Sequence, residues 1–369
     1  MKIPLSKPFL NQKELKAVKQ VLNSSWLTHG PKNQEFEEIF AKYTGTKYAV
    51  SLNSCASALF AVIKALNITG EIILPSFTFV ASANAIVTAG AKPIFADIDY
   101  QTSNIDPQDI KRKITKKTQA IMPVHFAGQV CQMDEIMKIA KKHNLWVIED
   151  SAEAIGAEYH GKKAGSFGIG CFSFFPTKNI TTGEGGMITA NDKDLIQKIK
   201  TLMGHGIPKM TNQRLKAKKP WYRAATIAGY NFRMSNILAA LGVEQMKKLN
   251  QMNTLRRKHA AYLNQKLKKI KEIELPVEMP KTKHVYQMYT IKLKKGNRDD
   301  LVRKLKAKGI EVSVHFDPPV HLQPYYKNKQ KLPETEKLSR SIITLPMYPQ
   351  MTKKELDYII NNIKEILKL

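Results

Sequence analysis

Through the first 200 residues, short apolar runs alternate with helical patterns, and several of those runs show no polar–apolar alternation. The runs are YAVSL at 48–52, EIILP at 71–75, KPIFADI at 92–98, QAIMPVHF at 119–126 and LWVIED at 145–150. Helices are predicted at Ala56–Leu66, after 75, and near 133–143. A strand that is apolar on both faces must be covered on both, as happens in a mainly parallel sheet flanked by helices. The fold class that follows is α/β. In such sheets ligands collect beyond the carboxyl ends of the strands, so reactive residues are expected just after these runs.

From about Ser235 to Lys271 the pattern is continuously helical, with no Gly or Pro after Gly242, long enough to bridge two domains. The remainder reads as a smaller α+β unit. It has strands at YTIKL (289–293) and IEVSVHF (310–316), a helix at Asp299–Lys308, and an amphipathic helix from Thr352 to the end. At roughly 150 residues per domain, 369 residues fit two or three units. The expected division is 1–245 for an N-terminal arm and large domain, and 246–369 for the bridging helix and small C-terminal domain.

Hydrophobic residues make up 43% of the chain, so the formal net charge of +28 sits on a folded protein and not on a disordered one. Such a charge admits nucleic acid, an acidic membrane surface or a polyanionic small substrate as partner. Ile72 to Ala91 carries no charge, yet Pro75, Ser76, Thr78, Ser82, Asn84, Thr88 and Gly90 make it a strand–turn–helix and not a membrane span. Cys55, Cys131 and Cys171 form no CxxC pair, and the nine histidines include no HExxH, so no metal site is predicted. The start, MKIPLSKPFL, lacks the apolar run of a signal peptide, and the expected location is the cytoplasm.

The densest chemical signal is FSFFPTKNITTGEGGM, Phe172 to Met187. Lys178 stands among Ser, Thr, Pro and Gly residues, with no other Lys or Arg between Lys163 and Lys193. A desolvated lysine becomes a nucleophile towards carbonyls. Ser173 offers a hydroxyl to an anion, and Gly183, Gly185 and Gly186 permit close backbone approach. The plain alternative is a Gly-rich hairpin with an exposed lysine. Asp150 ends the buried run LWVIED, where a carboxylate is costly without a cation or a site to line. NSCASAL, Asn53 to Leu59, turns from strand into helix and suits a phosphate. A lysine, a buried aspartate and a phosphate cradle together are what pyridoxal 5′-phosphate (PLP) catalysis needs.

These residues lie within ordered motifs that span nearly the whole chain. They include IPLSKP (3–8), SSWLTHGP (24–31), LPSFTFVASANAI (74–86), VHFAGQ (124–129), IEDSAEA (148–154) and FSFFPTKNITTGEGG (172–186). GYNFRMSNILAALG (229–242), VHFDPPVHLQPYY (314–326) and ITLPMYP (343–349) complete the set. The chain resembles the DegT/DnrJ/EryC1/StrS family of sugar aminotransferases, within the fold-type I PLP enzymes. The resemblance implies that Lys178 is the Schiff-base lysine and Asp150 the partner of the pyridine nitrogen. It places Ser173 and the backbone of Cys55, Ala56 and Ser57 at the phosphate, Phe79 on the ring face and Glu153 beside the cofactor. Asn231 would reach the phosphate from a second subunit, giving a homodimer with shared sites. Thr28, Trp221, Tyr222 and His321 are the candidates on the sugar side.

Three positions depart from the family pattern. Ala56 replaces the usual Thr and removes a phosphate hydroxyl, for which Ser57 is the candidate substitute. Phe175 stands where many members have His, and Glu153 where many have Gln. Lys178 itself disfavours the related sugar dehydratases, which carry histidine there. The resemblance implies transfer of an amino group from an amino acid, L-glutamate, to a keto group of a nucleotide-linked deoxysugar, with a keto-cyclitol as the alternative acceptor.

Other features have plainer readings. GAEYHGKK (156–163) nearly matches a P-loop but lacks its Ser/Thr and reads as a hairpin turn. His125 is equally a ligand contact or a hydrogen-bonded core residue, and His315 joins His321 in the Pro-rich loop near the substrate mouth. KMTNQRLKAKKPWYR, Lys209 to Arg223, is basic and aromatic, the composition of a nucleic-acid binder. It supports a rival reading, a regulator with an aminotransferase-like body, although residues 1–45 cannot hold a helix-turn-helix module. A nucleotide diphosphate is itself a polyanion that such a loop would attract.

Overall fold

The structure, a computed structural model, describes residues 1–208, 218–327 and 330–368. Residues 209–217 of the basic segment lie outside them.

Helices α1 (Gln12–Ser24) and α2 (Pro31–Thr44) precede a seven-stranded sheet. Its strands are β1 (Tyr48–Leu52), β2 (Glu71–Pro75), β3 (Lys92–Ala96), β4 (Thr118–Ile121), β5 (Trp146–Asp150), β6 (Ile169–Ser173) and β7 (Gly186–Ala190), in the spatial order β1-β7-β6-β5-β4-β2-β3. β7 pairs antiparallel with both β1 and β6, while β2–β3, β2–β4, β4–β5 and β5–β6 are parallel. The intervening helices are α3 (Cys55–Ala65), α4 (Val80–Thr88), α5 (Pro107–Lys113), α6 (Met133–His143) and α7 (Lys193–Met203). Ile72, Leu74 and Ile148 enter one buried cluster with α3 and α7, whereas Ile73, Ile121 and Val147 enter another with α6. Both faces of the sheet are therefore covered, as the non-alternating runs require.

Local chemistry sets the boundaries. Ser54 caps α3 by accepting from the Ser57 amide, and Asn144, in a left-handed conformation, ends α6. β4 stops three residues into the predicted run 119–126, two residues before Pro123, which has no N–H to continue a ladder. Glu158–Tyr159 pairs with Lys162–Lys163 as a hairpin turned by His160 and Gly161, both at positive φ, so the P-loop-like motif is a turn.

Helix α8 (Asn236–Leu267) runs 32 residues and packs against α1 and α2 before reaching the second core. There, β8 (Ile273–Glu274), β9 (Tyr289–Leu293) and β10 (Ile342–Leu345) form an antiparallel sheet with α9 (Arg298–Ala307), α10 (Pro333–Ser341) and α11 (Lys353–Ile366). The expected strand at 310–316 is corrected by the structure. The segment makes isolated bridges, Ile3 with Ile310 and Ser313 with Thr344; Ile310 and Val312 stay in the second core, while Val314 and Phe316 turn onto the cluster of Phe77 and Phe126. Phe316 packs against Phe77 and Phe126 instead of extending the sheet. Ile3 is buried in the second core, so the N-terminal arm spans both halves. Among the described residues, no helix is long and apolar enough to cross a membrane, and Ile72–Ala91 is divided between β2, a turn and α4.

Candidate active site at the carboxyl ends of the sheet

Lys178 lies in the loop from β6 to β7. That loop closes on the carbonyl of Phe174, which accepts from the Thr182 amide at 3.0 Å and the Thr181 hydroxyl at 2.8 Å. Phe174 is anchored in a cluster of rings with Phe36 and Phe40, so the polar turn rests on an apolar floor. The Lys178 side chain is 15% exposed, and its Nζ lies 3.5 Å from Oε1 of Glu153. The other Glu153 oxygen accepts from the Ala127 amide at 2.8 Å. Lys178, Glu153, Gln287, His315 and Thr344 help line a cavity of about 70 Å³. His315 donates to or accepts from the Thr344 hydroxyl at 2.8 Å, and burial pulls its imidazole below the usual range.

Asp150 ends β5 and is buried. The Ser82 hydroxyl, from α4, donates to Oδ2 at 2.7 Å, and the Ala152 amide reaches Oδ1 at 3.2 Å. Burial is the largest influence on this carboxyl and holds it above the usual carboxylate range, against the hydrogen bond from Ser82. No ion pair to Asp150 occurs among the described residues. A buried carboxylate in this state lacks the one partner that would keep it ionised, a cation.

At the N-terminus of α3, the Ser54 hydroxyl accepts from the Ser57 amide at 3.0 Å and donates to the Ser57 hydroxyl at 2.9 Å. The amides of Cys55 and Ala56 belong to the first turn, where intrahelical partners are missing. Gly186 pairs in register with Ser173 and lies so close to the cradle that a Cβ on it would fall 2.4 Å from Ser54 C and O and 2.7 Å from Cys55 N. Ser173 and the Cys55–Ser57 turn thus meet around Gly186. Burial, with the charge of Asp150, pushes the Cys55 thiol up, so the cysteine stays neutral.

Lys178, Glu153, Asp150, Ser173, Cys55, Ala56 and Ser57 therefore lie on neighbouring strand ends and loops. Phe79, Asn231, Thr28, Trp221, Tyr222 and His321 make no hydrogen bond or ion pair with those seven among the described residues. Phe79 caps α4 with its ring 62% exposed, and the Phe316 ring lies 6.4 Å away, centroid to centroid. Asn231 is exposed and accepts from Arg233 Nε at 3.0 Å. Thr28 is exposed, as are Trp221 at 73% and Tyr222 at 66%. His321 is fully buried, with Nδ1 2.6 Å from the Ser76 hydroxyl and Nε2 3.6 Å from Glu336. His125 is a core residue: its Nδ1 accepts from the Cys131 amide and its Nε2 faces Glu149 at 3.0 Å. Glu149 in turn fixes the amides of Gly165, Phe167 and Gly168.

Ser82, Gln287 and Asn253 were not singled out from the sequence. Ser82 carries a signal as one of the polar residues within the charge-free run 72–91, but polarity alone does not name Asp150 as its partner.

The site's donor set suits PLP. The orphaned carboxylate of Asp150 faces the need of a protonated ring nitrogen, the capped turn of α3 offers amides and a hydroxyl to a phosphate, and Lys178 supplies the amine. The chain matches the DegT/DnrJ/EryC1/StrS aminotransferase family over residues 8–364. It is 38% identical to the GDP-perosamine synthase of Caulobacter vibrioides, covering 99% of this chain and 98% of that one. Its structure is similar to Helicobacter pylori PseC, an aminotransferase involved in the biosynthesis of pseudoaminic acid, with a TM-score of 0.94, 30% identity and full coverage of both chains. It is also similar to Streptococcus pneumoniae Spr1654 in its PLP form, with a TM-score of 0.93 and 27% identity over 100% of this chain and 99% of that one.

Proposed function

Because the chain belongs to the DegT/DnrJ/EryC1/StrS aminotransferase family, we propose that it moves an amino group from L-glutamate to a keto group of a nucleotide-linked deoxysugar, with PLP as cofactor. The observation that carries this reading is the buried Asp150, hydrogen-bonded but without an ion pair among the described residues, on the strand end next to the loop of Lys178. When bound, PLP supplies an aldehyde that condenses with amines and a ring that takes up electron density. Asp150 would hold the ring nitrogen of PLP in its protonated form, with its carboxylate aimed by the Ser82 hydroxyl. Ser173, the Ser57 hydroxyl and the amides of Cys55 to Ser57 bind the phosphate. The Ser54 hydroxyl, by donating to Ser57, leaves the Ser57 proton free for the phosphate, which offsets the hydroxyl lost at Ala56. Lys178 Nζ, 3.5 Å from Glu153 in this chain, would be the amine that takes up and returns a proton there.

The exposed ring of Phe79 covers the cofactor face, and Asn231 completes the phosphate site from a second copy of the chain. A second copy gives the exposed Asn231 a purpose which a single chain does not. Thr28, Trp221 and Tyr222 lie on the sugar side; His321 acts from beneath by holding the 318–326 loop to Ser76. The reaction is placed in the cytoplasm, and the basic loop draws the nucleotide diphosphate. The test is to supply L-glutamate with a panel of nucleotide-linked ketosugars and a keto-cyclitol and follow 2-oxoglutarate. Turnover confined to nucleotide-linked acceptors is expected; turnover confined to the cyclitol would overturn the acceptor, and none with any acceptor the reaction.

A further inference from the structure

Asn253 and Arg256 sit one turn apart on α8, and both are buried. Asn253 accepts from the Asn179 side chain at 2.5 Å and donates to the Ile155 carbonyl at 3.0 Å. Arg256 has no carboxylate partner among the described residues; its Nη1 donates to the carbonyls of Gln287 at 3.2 Å and Met347 at 2.7 Å. Gln287 in turn donates its side-chain amide to the Thr177 carbonyl at 2.9 Å. Thr177 and Asn179 flank Lys178, and Gln287 and Met347 line the cavity its side chain faces.

A fully buried guanidinium is a costly way to fill space, because its desolvation is offset here by carbonyls alone. An apolar side chain of similar volume would fill the same core without that cost. It could not fix two separate backbone segments at once. The three residues around the lysine are instead held from both sides by one rigid helical turn, which is how a reacting group is kept in register.

We propose that the Asn253–Arg256 turn of α8 is the positioning element of Lys178, acting on one flank through Asn179 and on the other through Gln287. Neither residue touches the cofactor. They set where the lysine amine reaches. The inference rests on Lys178 being the cofactor lysine.

The test compares Asn253→Ala, Gln287→Ala and Arg256→Lys with Tyr289→Phe, which removes a bond from Tyr289 to Asn264 elsewhere on α8. Five quantities are read: the Tm without cofactor, the pH midpoint of the visible band of PLP-loaded protein, the rate of borohydride trapping of PLP on Lys178, kcat and KM. For the positioning variants, the band midpoint and trapping rate are expected to change, with kcat falling about 10-fold or more and KM for the sugar within about twofold. Tyr289→Phe is expected to lower only Tm. If the positioning variants lose Tm yet keep the wild-type band midpoint and kcat, the proposal is overturned. Should Arg256→Lys fail to fold, Gln287→Ala decides alone. A wild-type protein that shows no band with PLP overturns the cofactor reading itself, and this inference with it.

Discussion

The carboxylate of Glu153 faces the amine of Lys178 across 3.5 Å. Its charge also reaches Asp150. Burial is the largest influence raising that carboxyl, and Glu153 adds to it, while the hydrogen bond from Ser82 opposes both. Glu153→Gln removes one negative charge, so Asp150 ionises at lower pH. The acid limb of the kcat/KM profile is expected to move to lower pH. An acid limb that stays in place or moves up would show that Asp150 does not govern it.

Asp150 itself trades stability for function. Its carboxyl is held above the value it has in the unfolded chain, so the unfolded state binds fewer protons in that window. Stability without cofactor therefore falls as pH rises through the window. Asp150→Asn relieves the buried charge. Its cofactor-free Tm is expected to exceed wild type at neutral pH, the gain vanishing once acid protonates the wild-type carboxyl, and PLP affinity is expected to drop. Thermal scans across pH check the sign; a neutral-pH Tm below wild type contradicts it.

Gly186 tests the phosphate cradle. A methyl there would press on the Ser54 carbonyl and Cys55 amide, which are backbone atoms and cannot swing aside. Overpacking of this kind costs about 1–3 kcal/mol, so Gly186→Ala is expected to weaken PLP binding by roughly tenfold to a hundredfold. Fluorescence titration with PLP reads this, and wild-type affinity would move the phosphate elsewhere.

His321 separates a structural from a contacting role. It is buried, and both its Nδ1 and its backbone amide meet the Ser76 hydroxyl. His321→Ala is expected to cost about 2–4 kcal/mol and to leave the KM for the sugar within about twofold. A KM raised tenfold with unchanged stability would put the ring in the substrate site.

Much of this was legible from pattern. Helix 133–143 ends where Asn144 turns left-handed, and the long helix follows its stretch without Gly or Pro after Gly242; Asp150 stands out as a carboxylate ending an apolar run, and Lys178 as the lone cation of a Ser-, Thr- and Gly-rich segment. The strand expected at 310–316 failed because alternation of Ile310, Val312, Val314 and Phe316 reports burial, not which partner buries it. Ser82 finds Asp150 across 68 residues of sequence, and Asn253 finds Asn179 across 74. Such pairs rest on generic polar residues, whose partners only the fold selects. The exposure of Phe79 and Asn231 marks surface that a single chain leaves open.

The central claim is tested most directly by the visible spectrum of purified protein with PLP, before and after L-glutamate, beside Lys178→Ala. Wild type is expected to develop a band that shifts when glutamate is added, and the variant to lack that band. Identical spectra for the two proteins, with no response to glutamate in either, would contradict the account.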